Sequence, residues 1–123
     1  MKTTQLDTFT RAYIACALWS TTEDCGGHEQ ALDEKFTAED ISPETMERII
    51  ADCQKFQTEQ NEHFWKCNHD GAGHDFWLTR NGHGAGFWDG DWSEPAATVL
   101  TKASKAFGEC HLYVGDDGKL YIA

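Results

Sequence analysis

Residues 71–92 read GAGHDFWLTRNGHGAGFWDGDW, and this stretch decides how the fold is predicted. It places two histidines, one arginine, three aspartates and five aromatic residues in one glycine-rich block. Its centre, Asn81-Gly82, is the dipeptide most typical of a two-residue β-hairpin turn, because such a turn needs positive φ at both central residues. The block therefore predicts a β-hairpin over residues 74–89.

A two-residue turn also predicts the side chains on each face of this ribbon, because side chains alternate along a strand. Phe76, Leu78 and Phe87 share one face and are expected to pack on helices. Trp77 and Trp88 share the other face, beside glycines that leave the backbone bare. Tryptophan offers a large contact area and an N–H donor, so this face is predicted to bind. In the alternative interpretation, the tryptophans complete a small second core.

The ends of this ribbon add polar groups to the predicted binding site. His74 lies opposite Asp89, and a carboxylate beside a histidine can make a general base. No Gly-x-Ser-x-Gly nucleophile motif accompanies the pair, so a structural hydrogen bond is the favoured interpretation. The residues predicted to bind a partner or ligand are Asp75, Trp77, Arg80, His83, Trp88, Asp91 and Trp92.

Cysteine and histidine also occur together twice. Thiolate and imidazole groups are good zinc ligands, but standard zinc modules need two matched pairs. The second pair here, Cys67-x-His69, is too closely spaced to match the first. We therefore predict no metal and no cofactor. If a metal does bind, its expected ligands are Cys25, His28, Cys67 and His69.

Helical periodicity predicts two helices before the block, over residues 5–20 and from Ser42 onwards. Ser42 is a good N-cap, and Pro43 suits the first helical position because its missing N–H costs nothing there. The second helix runs to Phe56 and allows an extension to Phe64, while residues 21–40 are predicted to form a loop. The apolar stripe of the first helix comprises Leu6, Phe9, Tyr13, Ile14, Cys16 and Leu18.

A third helix and a second hairpin complete the chain. Residues 94–107 have helical periodicity that Gly108 ends, and residues 112–122 turn at Asp117-Gly118, with Asp116 opposite Lys119. The order ααββαββ predicts an α+β fold, a four-stranded antiparallel sheet with helices on one face, in a single domain over residues 1–123. The predicted core stripe of the third helix is Ala96, Val99, Leu100, Ala103 and Phe107.

Composition limits the classes of partner. The chain has 21 acidic and 10 basic residues, a net charge of −11. Direct binding to nucleic acid is disfavoured because phosphates attract basic surfaces, whereas a partner with a basic surface is favoured. No apolar run is long enough to span a membrane, and the first residues are too polar for a signal peptide. We therefore expect a cytoplasmic protein whose five cysteines are reduced, with Cys16 and Cys53 in the core.

Two blocks of sequence resemble a small family of uncharacterised proteins from tailed bacteriophages and prophages. They are GHDFWLTRNGHGAGFWD at residues 73–89 and LYVGDDGKLY at residues 112–121. The segment from Tyr13-Ile14 to Leu18-Trp19-Ser20 and the helix start at residues 40–45 are similar to that family as well. The resemblance implies a phage protein expressed in the cytoplasm of an infected bacterium, and it implies no reaction.

Three functions remain open on these residues. The first is a phage accessory protein that binds and inhibits a bacterial host or defence protein, including as an acidic mimic of nucleic acid. The second is a domain for a small ligand or nucleotide, in which Trp77 and Trp88 stack on a base and Arg80 contacts a phosphate. The third is a hydrolase that uses His74 and Asp89, with or without a metal.

Overall fold

The computed structural model describes residues 6–25, 28–64, 69–82, 86–87, 92 and 94–123, with the backbone alone at 23–25, 28–29, 61–64 and 69–70. No helix in this part of the chain is long and apolar enough to cross a membrane. Its elements, in chain order, are α1 (Thr8–Ser20), β1 (Thr22–Cys25), β2 (His28–Ala31), 3₁₀ turns at Leu32–Glu34 and Ala38–Asp40, α2 (Pro43–Phe64), α3 (His69–Arg80), α4 (Ala96–Ala106), β3 (Leu112–Val114) and β4 (Leu120–Ile122).

The first two predicted helices are confirmed as α1 and α2, and side chains cap both. The carboxylate of Asp7 accepts a hydrogen bond from the backbone N–H of Thr10 at 2.8 Å. The hydroxyl of Ser42 accepts one from the N–H of Thr45 at 3.2 Å, and Pro43 follows as the first residue of α2. Such caps satisfy N–H groups that have no partner within the helix.

Residues 71–80 of the glycine-rich block belong to α3, so the predicted hairpin over residues 74–89 is wrong. Helix α3 packs closely on α1 at Gly73. A Cβ atom at this glycine would lie 2.1 Å from the backbone oxygen of Phe9 and 3.2 Å from the Cβ of Ala12. The missing side chain at Gly73 therefore allows the close crossing of two helices.

Asn81-Gly82 ends α3 instead of turning a hairpin. Gly82 has a φ of 70°, and its N–H donates to the carbonyl of Thr79 at 3.2 Å. The Asn81 amide donates to the carbonyl of Trp77 at 3.0 Å and accepts from the N–H of Cys110 at 2.8 Å. A helix C-cap and a type I′ turn both need positive φ at glycine, so the dipeptide alone does not distinguish them.

The third predicted helix is confirmed as α4, which ends before Gly108 as expected. Gly108 has a φ of 80°, and its N–H donates to the carbonyl of Lys105 at 3.0 Å. Leu100 is fully buried as predicted, but Val99 is 36% exposed. Ser104, which was not part of the predicted stripe, is buried on this helix. Its hydroxyl group tolerates burial because it donates a hydrogen bond to the carbonyl of Leu100 at 2.7 Å.

The described strands form two separate two-stranded sheets, so the predicted four-stranded sheet and the order ααββαββ are wrong. Strands β1 and β2 pair antiparallel within the segment that was predicted to be a loop. Because residues 69–80 are helical, the first strand of the ribbon that was predicted to pair with the C-terminal hairpin is a helix instead. Beyond its own partner strand, β4 makes one isolated bridge, between Leu120 and Ile41. The described residues are mostly helical.

Strands β3 and β4 confirm the C-terminal hairpin, with one correction to its register. The N–H of Gly115 donates to the carbonyl of Lys119 at 2.7 Å, so Lys119 lies opposite Gly115 and not opposite Asp116. The turn therefore holds three residues. Gly118 completes it with a φ of 80°, the conformation that three-residue hairpin loops require at their last position.

An aromatic cluster joins the helices. Phe56 of α2 stacks on Phe76 of α3 with 4.2 Å between ring centroids. Phe107 meets the edge of Phe76 at 5.1 Å, and Phe9 of α1 lies 6.0 Å from the same ring. Helix α3 is therefore at the centre of the core, and this position determines where the predicted site residues lie.

Candidate functional site

Arg80 is a buried structural residue, only 4% exposed. Its Nε and Nη2 donate to the carbonyls of Gly108 and Phe107 at 2.9 and 3.1 Å. Its Nη1 donates to the hydroxyl of Tyr13 at 3.1 Å and to the carboxylate of Asp52 at 3.0 Å. The last carbonyls of a helix carry partial negative charge, so the guanidinium also caps α4. Arg80, which was predicted to bind a partner or a phosphate, is therefore enclosed by these protein groups and does not lie on an open surface.

The electrostatics of this cluster match a structural role. Burial lowers the pKa of Arg80, but Tyr13, Cys110 and Asp52 outweigh it and raise the pKa above the usual value for arginine. Burial raises the pKa of Tyr13 well above 10.0, against the opposing effect of Arg80. Tyr13 is thus a neutral hydroxyl at pH 7. Among the described residues, no buried side-chain nitrogen or oxygen atom lacks a hydrogen-bond partner.

Trp77 belongs to the core, so its predicted outward position is wrong. It is 2% exposed, and its Nε1 donates to the hydroxyl of Ser20 at 2.8 Å. Its ring meets the ring of Tyr13 edge to face at 5.3 Å. Asp75 is also buried and accepts a hydrogen bond from Nε1 of the half-buried Trp92 at 2.8 Å. For Trp77, the core interpretation of the sequence is the one that the structure supports.

His74 is exposed on α3, whereas its predicted partner lies outside the described residues. The Nδ1 atom of His74 is 3.8 Å from the nearest carboxylate oxygen of Asp75, longer than a hydrogen bond. A His74–Asp89 pair therefore stays a prediction. The predicted site residues that fall outside the described part of the chain are His83, Trp88, Asp89 and Asp91.

The possible metal ligands also remain predictions. Cys67 lies outside the described residues, and Cys25, His28 and His69 are described by their backbone alone. Among the side chains that are described, no three of His, Cys, Asp or Glu come close enough to hold a metal ion. Three cysteines are buried free thiols, among them the two that were predicted for the core: Cys16, Cys53 and Cys110.

The exposed face of α1 carries Trp19. This residue is 60% exposed, the largest value for a bulky apolar side chain among the described residues. Its ring lies 6.2 Å from the ring of His74, so the two side chains share the edge between α1 and α3. Ala15, one turn earlier, is also exposed. Residues four apart face the same way on a helix, so Ala15 and Trp19 form one apolar strip.

A groove opens beside this strip, between α1 and the segment that holds the two 3₁₀ turns. It encloses about 390 Å³, which is within the usual range of ligand-binding clefts. We call it the α1 groove. Because Ala15 lines it, the groove and Trp19 form a continuous surface. The lining residues are Leu6, Arg11, Ile14, Ala15, Leu18, Asp33, Phe36, Thr37 and Ala38.

Charge is unevenly distributed around the α1 groove. Residues 32–44 contain five acidic residues and one basic residue. Asp33 lines the groove on this side, and Glu34 beside it is exposed. Arg11 lies on the α1 side, where its Nε donates to the carbonyl of Leu6 at 3.0 Å. The groove therefore has an apolar floor and a rim on the side of residues 32–44, where Asp33 lines it and the flanking sequence is mostly acidic, while Arg11 lines the α1 side.

No protein-family model, curated protein or solved structure matches the chain. The sequence did contain a signal for Trp19, since this tryptophan lies off the apolar stripe of its helix. The α1 groove had no such signal. It forms only when the chain brings Phe36 and Ala38 back against Ile14, a contact between segments that local patterns do not specify.

Proposed function

We propose that the protein is a non-enzymatic phage accessory protein that binds and inhibits a bacterial host or defence protein. The observation that carries this proposal is the 60% exposure of Trp19 beside an open apolar groove. Exposed apolar surface rimmed by polar groups is typical of interaction sites, and tryptophan often dominates the binding energy of an interface.

The charge of the chain supports a basic partner. A net charge of −11 repels nucleic acid and attracts positively charged protein surfaces. Such attraction acts mainly on the rate of association. If the partner is a nuclease or another nucleic-acid-binding protein, the acidic surface would compete as a mimic of its substrate.

The resemblance of residues 73–89 and 112–121 to phage proteins supports the biological setting. On this proposal the partner is a protein of the cytoplasm of the infected bacterium.

The test is affinity capture from a bacterial lysate with three tagged proteins: wild type, Trp19→Ala and Tyr113→Ala. Tyr113 is the matched control because it is 47% exposed, on β3. We expect wild type and the control to retain the same basic protein and Trp19→Ala to lose it. With the purified pair, Trp19→Ala should weaken binding by about 30-fold, the effect of losing about 2 kcal/mol.

A stability measurement accompanies the capture. The Trp19 ring is mostly exposed, so Trp19→Ala should leave the thermal unfolding midpoint close to that of wild type. Identical captured proteins for wild type and Trp19→Ala would contradict the proposal, as would a capture that contains no saturable partner.

A further inference from the structure

We infer that the α1 groove receives an amphipathic helix of the partner. Apolar side chains of this helix would enter the groove, and its lysine or arginine side chains would lie against Asp33 and Glu34. The inference rests on the proposed function, since it names the partner's chemistry and the surface that contacts it.

The lining of the groove favours an apolar occupant with the length of a helix. Its floor is formed by aliphatic and aromatic side chains, among them Ile14, Leu18 and Phe36. Replacing water over such a surface by apolar side chains is favourable. From Leu6 to Leu18 the groove follows α1 for roughly 18 Å, which corresponds to about three turns of a helix laid along it.

The rim favours basic side chains on that helix. Residues 32–44 carry five acidic residues against one basic residue, and Asp33 lines the groove itself. Arg11 on the opposite side offers a single cation, so an acidic residue on the far edge of the bound helix would have a partner. Opposite charges on the two sides would thus fix the orientation of the helix.

The same charges disfavour a second copy of this chain as the occupant. Each copy carries a net charge of −11, and a symmetric contact would bring two identical acidic rims together. Like charges that face each other across an interface oppose association. A basic partner meets no such repulsion.

The decisive probe is a synthetic, fluorescently labelled helix of about 14 residues, with leucine on one face and lysine on the other. Its affinity is measured by anisotropy against wild type, Ala15→Trp and Ala51→Trp. Ala15→Trp fills the groove without changing the net charge, and Ala51→Trp places the same side chain on an exposed position of α2. We expect Ala15→Trp to weaken binding by about tenfold or more and Ala51→Trp to leave it nearly unchanged.

A second pair of variants tests the rim. Asp33→Asn with Glu34→Gln removes the charge of a residue that lines the groove and that of its exposed neighbour, whereas Glu59→Gln with Glu109→Gln removes two exposed charges elsewhere on the chain. The rim variant should bind the leucine–lysine helix several-fold more weakly than the control. This difference should shrink as salt rises from about 0.1 M to about 1 M, because the screening length falls from about 10 Å to about 3 Å.

Several outcomes would overturn the inference. One is equal binding of the leucine–lysine helix to Ala15→Trp and Ala51→Trp; another is equal affinity for a leucine–glutamate helix of the same pattern. Dimerisation that Ala15→Trp abolishes would assign the groove to a second copy, and saturable binding of dodecanoate with no peptide binding would assign it to a small amphiphile.

Different experimental results would overturn the inference about the groove and the proposed function. A captured partner that Trp19→Ala loses and Ala15→Trp retains would overturn the groove and leave the inhibitor proposal intact. Unfolding midpoints of Ala15→Trp and Ala51→Trp are compared first, so that a loss of binding is not a loss of folding.

Discussion

At the scale of single residues, Arg80 shows why a charged residue in a promising motif can be structural. Its guanidinium lies 5.5 Å from the ring centroid of Phe76 and 5.6 Å from that of Phe107, in addition to its hydrogen bonds. Arginine suits such a position because its planar group stacks on rings while it donates in several directions. An arginine can clamp a phosphate, but in this structure Arg80 joins α1, α2, α3 and α4.

We expect Arg80→Met to lower the free energy of unfolding by about 3–5 kcal/mol, because it leaves the buried partners of the guanidinium without their donor. Asp52→Asn should cost less, since Asp52 is partly exposed. Urea unfolding measures both, with Arg48→Met as the control because Arg48 is exposed on α2. Equal costs for Arg80→Met and Arg48→Met would show that the buried cluster contributes nothing.

At the scale of elements, the sequence predicted those helices that have a recognisable capping residue at one end. Ser42-Pro43 marked the start of α2, and Gly108 marked the end of α4. The hairpin at Asp117-Gly118 was predicted as well, although its register was off by one residue. Helix α3 was missed because Gly73 serves a contact with α1, and a contact between distant segments leaves no local pattern.

The residues of the candidate site also divide into those that a local pattern reveals and those whose position depends on contacts between distant segments. Trp19 could have been recognised from its place off the helical stripe, because periodicity is a local property. The burial of Trp77 and Arg80 could not have been recognised from a local pattern, since it depends on α3 lying at the centre of the core. The predicted exposed face was derived from a strand register, so it failed together with the strand.

Gly73 provides the test of the helix crossing. Replacing a glycine by alanine inside a helix normally stabilises it by up to about 1 kcal/mol. Here the added Cβ would lie 2.1 Å from the backbone oxygen of Phe9, so we expect Gly73→Ala to destabilise the protein by roughly 1–3 kcal/mol. Gly82→Ala is the control, because its Cβ would have no neighbour within 4 Å and reports only the cost of positive φ. A Gly73→Ala protein more stable than wild type in urea would contradict the close crossing.

At the scale of the whole molecule, the acidic side chains that the structure describes are at least partly exposed, with the exception of Asp75, whereas three titratable groups in the core are neutral at pH 7. The net charge is −11, whereas the core holds Cys16, Cys53 and Tyr13 in their protonated forms. Burial is the main cause that raises the pKa of each of these three groups. Folding is therefore linked to their protonation, and the whole core should respond to alkaline pH.

We expect the free energy of unfolding to fall as the pH rises above about 9. Burial, with a further contribution from Asp75, raises the pKa of Cys16 from 9.0 to about 12, and burial raises that of Cys53 as well. Between these values the unfolded chain has lost thiol protons that the folded chain keeps. Because the unfolded state then binds fewer protons, stability decreases with pH, by at most about 1.4 kcal/mol per pH unit for each thiol.

Urea unfolding at a series of pH values between about 8 and about 11 measures this slope. Cys16→Ala should flatten it, because the variant has one titrating thiol fewer. Leu100→Ala, which empties a buried position with no titratable group, should lower stability at every pH and keep the slope of wild type. Repulsion within an acidic chain also grows at alkaline pH, but added salt screens it and leaves the contribution of a buried thiol in place. A slope that salt abolishes and Cys16→Ala does not change would assign the alkaline loss of stability to the surface and not to the core.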